Sequence, residues 1–402
     1  MDLIKLLIIF SIILFFIRLN KPLYISIIMG IISCIILYKI PTGKIFHLFK
    51  LGIFDENTIN LILAFYTITF IQRMMEKRQY LLLVEQTLDN IFNSKRINTM
   101  IAPFIIGLLP SAGAVLIAAP IVNNSASDHL NTEEKAFVAS YFRHISEAFL
   151  PTYSSILLAL KLGNINTTKF VLAMIPMIIF LFILGYLFYV RKIPKGEVKN
   201  QNINKKEEMK KLFVYLWPIA LVIILILAFG IQVYLSSLIT IIIFIVVNKF
   251  SFLELKPMVR TSFETKLIIS TICIMIFSKF ITYTGVINRL PGYFNTLKIS
   301  PIYIFALIFI VSTLVAGSQA TIALAIPLAF ISIPNGGLPL MILLMCIIYI
   351  TMQISPTHIC LAVVTEHFDI SFIKLLKKTL PIFFIFLLVS FPYAYFLYYF
   401  NI

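Results

Sequence analysis

The chain has 402 residues, of which 60% are hydrophobic and 12% charged, with a formal net charge of +16. A mean hydropathy of +1.00 and repeated apolar runs exclude a soluble domain and indicate a polytopic helical membrane protein. The basic residues lie in short loops between apolar runs, as the positive-inside bias predicts, which argues against nucleic-acid binding. Four cysteines without CxxC spacing argue against a metal or disulfide framework.

The first half, residues 1–190, is predicted to begin with two helices, at 3–17 and 22–39. Five further elements follow. A polar segment precedes a span at 57–73. The next element, at 79–94, is an amphipathic helix that lies at the membrane interface or serves as a connector. The apolar run at 97–127 is interrupted by Pro110 to Gly113, which divides it into two arms. Each arm is too short to cross a ~30 Å apolar core. This pattern favours a re-entrant hairpin over one kinked span. A helix at 134–163, broken near 151–155, and a span at 168–190 follow.

Residues 191–211 form the most hydrophilic stretch and carry eight Lys or Arg against three acids. We interpret this stretch as a cytoplasmic linker between two halves. The second half is predicted at 212–402, with its polar break at 355–358. Its elements are spans at 212–229, 231–248 and 267–284, a basic loop at 249–266, a short amphipathic piece at 289–298, a hairpin at 301–333, a broken helix at 338–367 and a span at 371–400.

The two halves show an internal repeat, because matching residues recur at an offset of 205 or 207 positions. The matching pairs are Ser111 and Ser318, Pro120 and Pro327, Pro151 and Pro356, and Pro176 and Pro381. With the linker inside, the first hairpin opens from the inside and the second from the outside, which predicts inverted copies. The basic Lys374 to Lys378 segment then lies inside, while Lys44 and Lys50 fall outside against the charge rule.

The polar residues at the hairpin tips and helix breaks are the predicted transport site. Interrupted helices inside a membrane are tolerated where their backbone lines a cavity, and transporters hold substrates at such places. Free N–H groups at half-helix N-termini suit an anion, and hydroxyl and carbonyl oxygens suit Na⁺. The candidate substrate-binding residues are Ser111, Gly113, Arg143, Thr152, Tyr153, Ser318, Gln319, Thr357 and His358. The candidate ion-coupling residues are Ser111, Glu147, Ser154, Ser155, Thr321 and Ser355.

Arg143, His144 and Glu147 precede the first break, and each has alternative interpretations. Arg143 and Glu147 stand four residues apart on one helical face, so they form either a structural pair or an anion contact beside a proton carrier. His358 is either a satisfied core histidine or a ligand or proton contact. The chain contains no HExxH, GxSxG or Walker loop, although His144 and Ser154 could be drawn as the dyad of an intramembrane hydrolase.

Three motifs resemble an archaeal and bacterial integral membrane family of unknown function. They are L-P-S-A-G-A-V-L-I-A-A-P-I-V at 109–122, F-R-H-I-S-E-A-F-L-P-T-Y at 142–153 and S-P-T-H-I-C-L-A-V-V-T-E-H-F at 355–368. That family is grouped in the ion transporter superfamily with divalent-anion/sodium symporters, citrate and gluconate permeases and arsenite permeases. The symporters carry Ser-Asn-Thr at both tips, whereas this chain reads Pro110-Ser111-Ala112-Gly113 and Gly317-Ser318-Gln319-Ala320-Thr321. The resemblance implies a dimerising scaffold and a moving domain with an elevator-like motion.

We therefore expect an all-α membrane protein with about ten transmembrane helices, two re-entrant hairpins and two inverted repeats with broken helices. The expected function is secondary transport of a small anion, with organic carboxylates as the candidate class, coupled to Na⁺ or H⁺. No other cofactor, metal or nucleic acid is expected; the partners are the prokaryotic plasma membrane and a second copy of the chain. A cation/proton antiporter using Glu147, His144 and His358, and an intramembrane enzyme, are the alternatives.

Overall fold

The computed structural model describes residues 2–19, 21–91, 94–108, 114–126, 129–194, 204–286 and 299–401. Within these ranges it contains nineteen α-helices and no strand, which confirms the all-α prediction. The helices of the first half are α1 (Asp2–Arg18), α2 (Leu23–Tyr38), α3 (Thr42–Ile53), α4 (Glu56–Lys77), α5 (Tyr80–Ile91), α6 (Lys95–Gly107), α7 (Ala114–Ala126), α8 (Thr132–His144), α9 (Ser154–Leu162) and α10 (Thr167–Phe188). Those of the second half are α11 (Lys205–Leu227), α12 (Val233–Val247), α13 (Phe252–Thr261), α14 (Thr265–Tyr283), α15 (Pro301–Ala316), α16 (Ser318–Ser332), α17 (Gly337–Met352), α18 (Ile359–His367) and α19 (Phe372–Tyr399).

Five of these helices are long and apolar enough to cross a membrane, namely α4, α10, α11, α14 and α19. Five further apolar helices are shorter, and the longest of them has 16 residues. Such a helix measures about 24 Å at a rise of ~1.5 Å per residue, less than a ~30 Å apolar core. The described residues therefore contain five clear candidate spans, where the sequence predicted about ten.

Two short helices, α3 and α13, occupy stretches where the sequence predicted a polar segment and a basic loop. α13 begins with a capping box, in which Ser251 and Glu254 satisfy each other's backbone N–H groups. Arg78 at the end of α4 also hydrogen-bonds Glu254 at 2.7 Å. This bond lowers the pKa of the Glu254 carboxyl to about 2. Charged residues that the sequence analysis assigned to a loop therefore stabilise the start of α13 instead.

Both predicted breaks lie between consecutive helices that do not join. α8 ends at His144, a 3₁₀ turn covers Ile145–Ala148, and α9 begins at Ser154. Ser154 and Ser155, predicted inside the break, are therefore the first residues of α9. The second break separates α17 from α18 at residues 353–358. α17 is buried on all sides from Leu340 to Met352, as expected of a central helix.

Helices of one half pack on helices of the other in matching pairs. α2 packs on α14, and α4 packs on α12. α9 packs on α16 and α7 on α18, while α8 packs on α19 and α10 on α17. The arms α6 and α7 lie along each other, as do α15 and α16. The breaks are thereby held where elements of both halves meet.

The contact of α3 with α14 depends on a glycine. A Cβ on Gly52 would stand 2.7 Å from the Ile276 Cα, whereas a Cβ on Gly43, in the same helix, meets nothing within 4 Å. Gly52 therefore lets two backbones approach more closely than any other residue would.

We predict opposite effects for alanine at these two positions. Alanine raises helix propensity by about 0.5–1 kcal/mol over glycine, so Gly43→Ala leaves the melting temperature of the detergent-purified protein unchanged or raised. Gly52→Ala lowers it, because overpacking against a backbone costs about 1–3 kcal/mol. Equal melting temperatures for the two variants would contradict the α3–α14 contact.

Candidate functional site

The two helix breaks meet through a pair of histidines. Nε2 of His144, at the end of α8, lies 2.9 Å from Nε2 of His358, the N-cap residue of α18. Nδ1 of His144 lies 2.6 Å from the carbonyl oxygen of Ser140, so this nitrogen carries the hydrogen and donates. In the neutral ring the His144 Nε2 is then the acceptor, and the His358 Nε2–H donates to it. The bond joins residues that are 214 positions apart.

Arg143 and Glu147 form an ion pair beside the histidines. The Arg143 side chain is 2% exposed and that of Glu147 13% exposed. Arg143 Nη1 also lies 3.8 Å from the Cys360 Sγ on α18. Since a buried charge without an opposite charge is costly, Glu147 is what permits a guanidinium at this depth.

The end of α6 docks directly on the first break. The carbonyl oxygen of Gly107 accepts from the Ser146 hydroxyl at 2.6 Å and from the Tyr153 hydroxyl. A Cβ on Gly107 would lie 2.1 Å from the Arg143 carbonyl oxygen, so only glycine fits here. The predicted tip residues Ser111 and Gly113, which follow α6, lie outside the described residues.

The second tip, between α15 and α16, contacts both breaks. The turn is made by Gly317 at a φ of +82°, a conformation that favours glycine. Gln319 Nε2 donates to the Ser154 hydroxyl of the first break at 3.0 Å. In the second break, the Ser355 hydroxyl lies 2.8 Å from that of Thr357 and 3.2 Å from the Thr313 carbonyl oxygen.

A cavity of about 530 Å³ lies between these elements. Nine predicted site residues line it: Glu147, Tyr153, Ser154, Ser155, Ser318, Gln319, Ser355, Thr357 and His358. Arg143 and Thr152 instead line an adjoining cavity of about 230 Å³, together with Glu147, Tyr153 and Ser154. Thr321 is fully buried, and its hydroxyl bonds the Gly317 carbonyl oxygen within the second tip.

Three helix N-termini converge on the larger cavity. It is lined by the N-cap and first residues of α9, α16 and α18. The three N-cap residues Tyr153, Gly317 and His358 make no side-chain cap within the described chain, so the first N–H groups are left for other partners. Each N-terminus carries about half a positive charge.

Sequence reasoning missed Tyr349 of α17, which lines the same cavity. The residue is 2% exposed, and its hydroxyl has no hydrogen-bond partner among the described residues. A buried hydroxyl without a partner is rare in proteins and indicates a place for water or a ligand. No motif surrounds Tyr349 in its apolar helix, so only the packing of α17 against the breaks reveals it.

We predict that the Arg143–Glu147 pair is structurally essential. Glu147→Gln removes the carboxylate beside a buried guanidinium and lowers stability by about 3 kcal/mol or more. Glu76→Gln is the matched control, because Glu76 pairs with Arg73 in a half-exposed pair, and such pairs contribute under about 1 kcal/mol. The double change Arg143→Met with Glu147→Leu recovers part of the loss. Thermal unfolding in detergent measures all three, and equal shifts for the two glutamine variants would contradict the prediction.

The fold is similar to that in the crystal structure of the YdaH transporter of Alcanivorax borkumensis. The TM-score is 0.65 at 10% sequence identity, and the match covers 89% of each chain. No match is found among the curated proteins. The model of the family described as "Protein of unknown function (DUF401)" matches residues 3–395, and the chain belongs to that family.

Proposed function

We propose that the protein is a secondary active transporter of a small anion, with an organic carboxylate as the favoured class and Na⁺ or H⁺ as the coupling ion. The convergence of three uncapped helix N-termini on one cavity carries this proposal. Free N–H groups and the positive ends of three helix dipoles favour an anion at this place. The likeness in fold to the YdaH transporter supports transport as the general activity.

The cavity suits a small, polar solute. Its volume of about 530 Å³ is in the range of small-molecule sites, roughly 300–1,000 Å³. Hydroxyl and amide groups of Ser154, Ser318, Gln319 and Thr357 line it, and the Tyr349 hydroxyl adds a donor. These neutral donors can orient a carboxylate without holding it too tightly to be released.

The second break offers oxygen atoms for a coupling cation. The hydroxyls of Ser355 and Thr357 stand together, and the Thr313 and Leu314 carbonyl oxygens lie 3.2 and 3.3 Å from the Ser355 Oγ. Hydroxyl and carbonyl oxygens are the ligands that a hard cation such as Na⁺ prefers.

We further propose two inverted repeats and an elevator-like motion. The reciprocal packing of α2 on α14 and α4 on α12, and of α9 on α16 and α7 on α18, supports the repeat. One group would be the scaffold (α1–α4 and α11–α14) and the other the moving unit (α6–α10 and α15–α19). Eight described ion pairs each join residues within one group: Arg73–Glu76, Arg73–Glu264, Arg78–Glu254, Lys279–Asp55, Arg143–Glu147, Lys192–Glu134, Lys374–Glu133 and Lys378–Glu134.

An intramembrane hydrolase has less support. His144 bonds Ser140 and His358, while the Ser154 hydroxyl accepts from Gln319. The imidazole and the serine therefore have other partners, and a nucleophile must bond its base to be activated.

The proposal also includes a homodimer in the plasma membrane of a prokaryote, with residues 191–211 in the cytoplasm.

The first test is ligand-dependent thermal stability of the purified protein with a panel of carboxylates and inorganic oxyanions, in Na⁺ or choline. A ligand of the folded state at a hundredfold excess over its Kd stabilises it by about 2.7 kcal/mol. We expect one anion class to raise the melting temperature and Gln319→Leu or Thr357→Val to abolish the rise. The control is Asn335→Ala, because Asn335 lines a separate cavity of about 570 Å³, and this variant retains the rise in melting temperature. If no anion raises the melting temperature, the anion site is contradicted.

The second test is uptake of the stabilising anion into proteoliposomes. We expect an inward Na⁺ or H⁺ gradient to drive accumulation, and Gln319→Leu to abolish it. Cation flux that needs no anion would instead indicate the cation/proton antiporter.

A further inference from the structure

We propose that His144, His358 and Cys360 form a binding site for a thiophilic transition-metal ion of the Zn²⁺ or Cu⁺ class, at the point where the two helix breaks meet. Each residue offers one ligand atom, a ring nitrogen of each histidine and the Cys360 Sγ, and the three atoms lie within 4.8 Å of one another. The two Nε2 nitrogens, 2.9 Å apart, are the ring atoms that face each other. This proposal goes beyond the anion transport proposed above and does not rest on it, although His358 also lines the same cavity. No sequence motif indicates this site, because its ligands come from α8 and from the start of α18 with no metal-binding spacing.

The orientation of His144 suits a metal ligand. Its Nδ1–H donates to the Ser140 carbonyl oxygen at 2.6 Å, which leaves the Nε2 lone pair aimed at His358. Histidine ligands of metals characteristically donate their second ring N–H to a carbonyl or carboxylate, which fixes the tautomer in advance.

The distances require only small side-chain movements. Zinc–nitrogen bonds of ~2.0–2.1 Å place two tetrahedral nitrogen ligands about 3.4 Å apart. The two Nε2 atoms are now 2.9 Å apart, so an ion between them replaces the shared hydrogen bond. When the ion binds, the ring hydrogen of neutral His358 moves from Nε2 to Nδ1, which frees the Nε2 lone pair for the ion, and the Cys360 thiol proton is released to solvent.

The surrounding charges are compatible with a thiolate ligand. Arg143 Nη1 lies 3.8 Å from the Cys360 Sγ, and a neighbouring guanidinium stabilises the thiolate form. The positive charge of Arg143 is matched by Glu147, whose Oε1 lies 4.0 Å from the His144 Nε2. Glu147 therefore places a carboxylate oxygen beside the cluster.

The ion can reach the site from the cavities. His144 is fully buried, but His358 is half-buried and lines the 530 Å³ cavity, and Cys360 lines the 230 Å³ cavity. Imidazole and thiolate ligands together select zinc or cuprous ions over Mg²⁺ and Ca²⁺, which require oxygen ligands. A bound ion would tie α8 of the first half to α18 of the second.

The test uses Co²⁺ as a spectroscopic probe of the reduced, full-length protein in detergent. We expect one equivalent to give visible bands of a tetrahedral site and a thiolate-to-cobalt charge-transfer band, both displaced by Zn²⁺. Cys360→Ser abolishes the charge-transfer band, and His358→Gln abolishes binding or weakens it at least tenfold. His367→Gln, on the same helix but outside the cluster, leaves the spectrum unchanged.

A second variant guards against binding by other cysteines. Replacement of Cys34, Cys273 and Cys346 by alanine keeps Cys360 alone, and we expect it to retain the full charge-transfer band. The proposal is overturned if the folded wild-type protein shows no charge-transfer band, or if Cys360→Ser and His358→Gln, each eluting as a single folded species, give the wild-type spectrum. Neither result bears on anion binding, which the thermal-stability panel measures separately.

Discussion

The constraint behind this structure is that a helix interrupted in an apolar medium must find partners for its freed polar groups within the protein. Water is absent from a bilayer core, so each unsatisfied N–H or C=O costs several kcal/mol there. The protein meets this constraint by placing its two breaks and the turn between α15 and α16 against each other. The Gly107 carbonyl oxygen accepts hydrogen bonds from the Ser146 and Tyr153 hydroxyls. The Ser355 hydroxyl donates to the Thr313 carbonyl oxygen, and the Gln319 side-chain amide donates to the Ser154 hydroxyl.

The same constraint explains why polar groups gather at one cavity although the chain is so apolar. The uncapped N-termini of α9, α16 and α18 meet at one place, where a ligand can accept hydrogen bonds from their first backbone N–H groups. The hydrogen bonds that join the two breaks and the second tip across the halves, such as His144 with His358 and Gln319 with Ser154, lie within the group formed by α6–α10 and α15–α19. That group can therefore move as one body while its internal hydrogen bonds persist, which the proposed elevator motion requires.

The sequence predicted the features that are encoded locally. Proline and small polar residues interrupted apolar runs at both breaks, and the structure has helix ends at His144 and Met352. Features that depend on distant residues were not predictable. Nothing local shows that His144 would face His358, or that Tyr349 would reach the cavity. α3 and α13 were missed because polar residues that cap or flank a short helix resemble those of a loop.

The position of Arg143 bears on how an anion would be held. Sequence reasoning nominated it as the anion contact, and the structure pairs it with Glu147 and places it on the smaller cavity. A fully charged contact in a low-dielectric site would bind an anion strongly, whereas a transporter must also release it. Helix N-termini supply partial charges, each contributing about 0.3–1 kcal/mol, or up to about 2 when partly buried. An anion held by several such weak donors, with Arg143 neutralised by Glu147 at the wall, can bind selectively and still leave.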